Sequence, residues 1–97
     1  MPRSLDAERE LADAREAIAC RAYARAADHV WTGAAAAASI GDEDALASLL
    51  ALIDALSAHE DVAQLRLYVT EALEEARRGT RPPSMFERMM RGDQRPR

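Results

Sequence analysis

The sequence predicts an all-α fold: a small antiparallel helical bundle of three main helices plus a short C-terminal amphipathic helix. Three observations carry this. Alanine, the best helix former, fills 22 of the 97 positions. Apolar residues recur three and four apart, so that each segment has one apolar stripe. Helix start and stop residues fall between those segments, at Ser4, Gly41–Asp42, Ser57–Glu60 and Gly79.

Ser4 is suited to cap the first helix, with Asp6 and Glu8 in the first turn facing the positive end of the helix dipole. No proline intervenes before Ser39, and the expected helix runs over about 5–39. Unbroken, it would be about 52 Å long. The natural place for a kink or break is Trp31–Gly33, because glycine inside a helix costs about 1 kcal/mol relative to alanine. Leu11, Ala14, Ile18 and Ala22 form one stripe; Tyr23, Ala27, Val30, Ala34 and Ala38 form a second.

Gly41 stops this segment and Asp42 caps the next, over about 43–57, where Leu46, Leu49, Leu50, Ile53 and Leu56 give the cleanest amphipathic pattern in the chain. Ser57 and Glu60 match a capping box for a third helix over about 60–78, in which each side chain would satisfy an exposed amide of the other. Val62, Leu65, Val69, Leu73 and Ala76 form its buried stripe, with Leu67 on the opposite, polar side among Thr70, Glu71 and Glu74. Residues 1–79 thus make the bundle, and 80–97 a proline-containing linker, a short helix and a basic tail.

In that tail, Arg81-Pro82-Pro83 cannot continue a helix, whereas Ser84 and Glu87 repeat the capping-box pattern and Gly92 is a stop. Between them Met85, Phe86, Met89 and Met90 fall on one face of a helix over 85–91, and Glu87, Arg88 and Arg91 on the other. A helix of two turns does not persist alone in water, so it has to dock, either on its own bundle or on a partner.

Charge is divided along the chain. Residues 31–76 hold nine acids and one arginine; residues 77–97 hold seven arginines and two acids. Arg81, Arg88, Arg91, Arg95 and Arg97 would steer the tail toward an acidic surface. Every basic residue is arginine and lysine is absent, a bias that a GC-rich genome explains without any special arginine chemistry.

The function classes narrow accordingly. A lone Cys20 cannot form an internal disulfide and fits a reducing compartment. The charged amino end is unlike a signal peptide, and the longest apolar run, Ala45–Ile53, is far short of a membrane span. We therefore expect a cytoplasmic protein with no membrane contact. His29 beside Asp28, and His59 beside Glu60 and Asp61, lack repeated ligand spacing, so no metal or cofactor is expected. No nucleophile motif occurs, and neither an enzyme activity nor a small-molecule substrate is expected. The spacing of a tetratricopeptide repeat is not met. What remains is a protein–protein interaction module: an adaptor, regulator or accessory subunit, docking or self-associating through Tyr23, Val30, Trp31, Leu67 and the Met85–Phe86–Met89–Met90 face. The alternative is a subunit of a nucleic-acid-handling assembly that uses the arginine-rich tail.

Overall fold

The computed structural model describes residues 3–79, which form four helices: α1 (Leu5–Ala19), α2 (Tyr23–Ile40), α3 (Glu43–Leu56) and α4 (Ala63–Arg77). No strand occurs among the described residues. The linker, the expected helix over 85–91 and the tail lie outside them. The helices pack as a bundle in which α2 and α3 each contact all three others, while α1 and α4 do not pack on each other.

The first predicted helix is two helices. The chain turns back at Cys20–Ala22, not at Gly33. Arg21 adopts a left-handed backbone, φ 62°, and is the one non-glycine residue with positive φ among the described residues. The amide of Arg21 donates to the Ile18 carbonyl at 3.0 Å and that of Ala22 to the Ala17 carbonyl at 2.8 Å. This pair of bonds is a Schellman stop, with an arginine where glycine is usual. No glycine, proline or asparagine marks the site, so local propensity gives no warning of it. Tertiary packing decides the break, because folding back lays the alanine stripe of α1 (Ala7, Leu11, Ala14, Ala17) against that of α2 (Ala26, Val30, Ala34, Ala37), all of them buried.

Gly33 serves that packing. A Cβ placed on it would lie 3.0 Å from Glu10 Cβ and 3.5 Å from two Leu49 carbons. The missing side chain lets α1 and α3 close on the middle of α2. α2 is continuous through this residue, with no break at the place in the sequence most prone to one.

Bulk in the core comes from α3 and α4. Leu46, Leu49, Ile53, Leu56, Val30 and Val69 are the largest fully buried side chains. The α3 stripe matches expectation, with Leu50 at its half-buried edge. The Ser57–Glu60 capping box does not form. Ser57 Oγ instead donates to the Asp54 carbonyl at 2.8 Å, finishing α3, and the amides of His59 and Glu60 both donate to the Leu56 carbonyl. α4 accordingly starts at Ala63, later than expected, where Asp61 Oδ1 accepts from the Ala63 amide at 3.2 Å. Ion pairs Arg66–Asp54 and Arg77–Glu43 tie the start of α4 to the end of α3, and the end of α4 to the start of α3.

The other caps form as the sequence predicts, with one addition. Ser4 Oγ accepts from the Ala7 amide at 3.0 Å, and Asp42 Oδ1 accepts from the Ala45 amide at 3.1 Å. Asp42 Oδ2 also accepts from the Ser4 amide at 2.7 Å. One buried carboxylate, 4% exposed, thus joins the starts of two helices 38 residues apart.

Two substitutions test this packing. Arg21→Gly should relieve left-handed strain worth about 1–2 kcal/mol, less the extra chain entropy glycine loses on folding. The thermal midpoint should rise by a few degrees, with Arg21→Ala nearly neutral. Gly33→Ala should act oppositely. Its helix-propensity gain of about 1 kcal/mol is outweighed by a contact against a backbone-proximal atom, and we expect a midpoint lower by about 4–8 °C.

Candidate functional site

The described aromatic side chains gather where α2 meets α4. Tyr23 and Trp31 are eight residues apart on α2 with Ala27 between them, a spacing that puts all three on one flank of the helix. The Tyr23 ring stacks on His59, with centroids 3.8 Å apart and planes 5° from parallel. His59 gets there because the tight turn after Leu56 carries the chain back toward the start of α2. Trp31 stacks on Tyr68 of α4, with centroids 5.3 Å apart and planes inclined by 25°. An offset aromatic pair of the Trp31–Tyr68 kind adds about 0.5–1.5 kcal/mol beyond the area it buries, so the seam first of all holds α4 to α2.

It also faces outward. Trp31 remains 40% exposed even while stacked, and Leu67, next to Tyr68 on the outward side of α4, is 55% exposed. Tyr23 and Tyr68 are half-buried. A large apolar ring held rigid by one neighbour and open on its remaining edge loses little freedom when a second surface covers it, which is the character of an interface anchor.

Among the residues expected to dock a partner, the structure therefore brings Tyr23 and Trp31 to this seam and leaves Leu67 exposed on α4, next to Tyr68 in sequence. Val30 is corrected. It is 0% exposed, turned into the core between the helices, and offers nothing to a partner. Tyr68 and His59 complete the seam and were not anticipated; their signal was only that each lies where α4 or its leading turn would meet the aromatic flank of α2. Met85, Phe86, Met89 and Met90, with Arg81, Arg88, Arg91, Arg95 and Arg97, lie outside the described residues. Leu5 and Ile40, 73% and 41% exposed, stand at the start of α1 and the end of α2.

A second cluster sits on the α1 side of α2, where sequence reading expected no metal ligands. His29 does not pair with its chain neighbour Asp28. Its Nδ1 lies 2.6 Å from Glu10 Oε2, and Asp13, one turn along α1, joins them. The signal was available only once the hairpin was known, since 19 residues separate Glu10 from His29. A depression of about 470 Å³ near the starts of α1 and α3 is lined by Arg3, Glu8, Leu11, Asp42 and neighbours. Its charges are largely committed: Asp42 serves the two helix starts, and Glu8 accepts from Arg3 Nε at 2.8 Å, a bond that raises the guanidinium pKa above its usual value. Cys20 is exposed as a free thiol at the chain reversal.

Compared with known proteins, the chain matches no family model, no curated protein and no solved structure. No helix among the described residues is long and apolar enough to cross a membrane.

Proposed function

We propose that this protein is a non-enzymatic interaction module, a cytoplasmic adaptor, regulator or accessory subunit, that docks a helix of a protein partner or of a second copy along the α2–α4 seam. The observation that carries the reading is Trp31: the chain's one tryptophan, stacked on Tyr68 yet 40% exposed, with the 55%-exposed Leu67 beside Tyr68 in sequence. The two ion pairs at opposite ends of α3 and α4, and the α1–α2 reversal, support taking the bundle as antiparallel, a rigid platform on which the seam is held. In this reading Met85, Phe86, Met89 and Met90, which lie outside the described residues, would supply a second apolar anchor, and the tail arginines would steer it toward acidic surface. No substrate and no catalytic step are needed.

The segment 77–97, with seven arginines against two acids, supports a second reading as a subunit of a nucleic-acid-handling assembly. Binding that weakens steeply between low and physiological salt would favour it.

The association test is sedimentation of the full chain over a wide concentration range, with and without the co-purifying proteins of its host. Parallel runs use Leu67→Glu and the Trp31→Glu/Leu67→Glu double variant, with circular dichroism confirming helicity. We expect the charges to weaken association at least about tenfold, the effect of losing an interface anchor worth more than about 1.4 kcal/mol. Variants that stay folded and keep every association of the parent would remove the seam from consideration.

A further inference from the structure

We propose that Glu10, Asp13 and His29 form a binding site for a divalent first-row transition-metal cation, of which zinc is the natural probe. One ligand atom from each of the three side chains can be chosen so that all lie within 4.8 Å of one another. Two come from α1 at an i,i+3 spacing, which points both carboxylates to the same side of the helix. The third is an imidazole nitrogen from α2, so the set bridges two elements and is not a run of acids along one surface helix.

The site is built into the packing. His29 precedes Gly33 by one turn of α2, and the bare Cα of Gly33 is what allows Glu10 to sit against α2 at all. The Glu10 and His29 side chains keep only 21% and 28% of their surface exposed, and Asp13 is half-buried. The three groups are held at the rim of the hairpin, partly out of water and open on one side for an ion to enter.

The chemistry of the donor set chooses the ion. One imidazole nitrogen with two carboxylates suits zinc and its first-row neighbours, whereas magnesium and calcium favour sites built of oxygen alone. Two carboxylates and a neutral imidazole also balance a divalent charge. Ligands at about 2.0–2.2 Å around a tetrahedral ion stand about 3.4 Å apart. The Glu10–His29 approach of 2.6 Å therefore has to open slightly and Asp13 has to close in, both within the reach of carboxylate side-chain rotations. The ion takes the place of the hydrogen now shared between Glu10 and His29: Nδ1 binds metal and the ring carries its proton on Nε2. Three protein ligands leave a fourth position to water or to a group from another molecule. Bound there, the cation would clamp α1 to α2, the pair whose small alanine side chains bury little area.

The site lies on the α1 flank of α2 and the aromatic seam on the α4 flank, so the two proposals stand or fall separately. The test is a thermal melt and titration calorimetry of the full chain in a Cys20→Ser background, which removes the exposed thiol as a competing ligand. Zinc is compared with magnesium and with zinc plus EDTA. Saturating zinc should raise the midpoint by at least about 4 °C through preferential binding to the folded state, and magnesium should not. Asp13→Asn, which leaves the Glu10–His29 pair in place, and His29→Gln should each lower zinc affinity by about tenfold or more. His59→Gln should leave it unchanged. No zinc-dependent shift or heat in the parent, or binding that survives both Asp13→Asn and His29→Gln, would overturn the assignment.

Discussion

The reversal at Cys20–Ala22 is the constraint from which the rest of the molecule follows. It sets an arginine in a left-handed backbone and closes two main-chain bonds across the stop. In return two alanine-lined faces meet that a straight helix would have left in water. Without it Glu10 would lie nearly 30 Å along a helix axis from His29, at about 1.5 Å per residue; with it they share a hydrogen bond at 2.6 Å. Asp42 reaching the Ser4 amide depends on the same reversal, because α1 has to return along α2 before its start can meet the start of α3.

Small side chains shape the energetics. Alanine buries little area, roughly 25 cal/mol for each Å², so the α1–α2 contact gains more from closeness than from volume. Closeness is what Gly33 supplies, with Glu10 on one side and Leu49 on the other. The bulk that α1 and α2 lack is provided by Leu46, Leu49, Ile53 and Leu56 of α3, which explains why α3 contacts every other helix. α4 is then fastened by its own apolar stripe, by two exposed ion pairs of small individual worth, and by the aromatic stacks. No buried side-chain nitrogen or oxygen among the described residues is left without a partner.

Much of this was legible in the sequence, and the failures have physical causes. Helical periodicity located the buried faces of α3 and α4, and cap chemistry located Ser4, Asp42 and Gly41, because those signals are local. The reversal was invisible, because residues 20–22 are ordinary helix formers and only the partner face makes the turn worthwhile. Gly33 misled for the related reason that glycine serves close approach as well as flexibility, and only the neighbouring helix tells which. Ser57 could finish one helix or begin the next, and the carbonyl of Asp54 was nearer. Of the candidate site, Trp31 and Leu67 were visible as large apolar residues off the main stripes, and Tyr23 as the aromatic start of the second stripe. Val30 was not separable from them by spacing alone, and the stacking partners and the Glu10–Asp13–His29 cluster required the topology.

Both functional proposals use α2 as a two-sided beam, with aromatic rings toward α4 and a mixed carboxylate–imidazole cluster toward α1. That arrangement exists only if the chain doubles back after Ala19. The direct measurement is the distance between spin labels at two exposed positions, Asp6→Cys and Ser39→Cys, in a Cys20→Ser background. The folded-back hairpin predicts a narrow distribution below about 25 Å, set by neighbouring helices of about 10–12 Å diameter plus the label arms. A distribution centred near 50 Å, the length of an unbroken helix over the same residues at about 1.5 Å per residue, would contradict it.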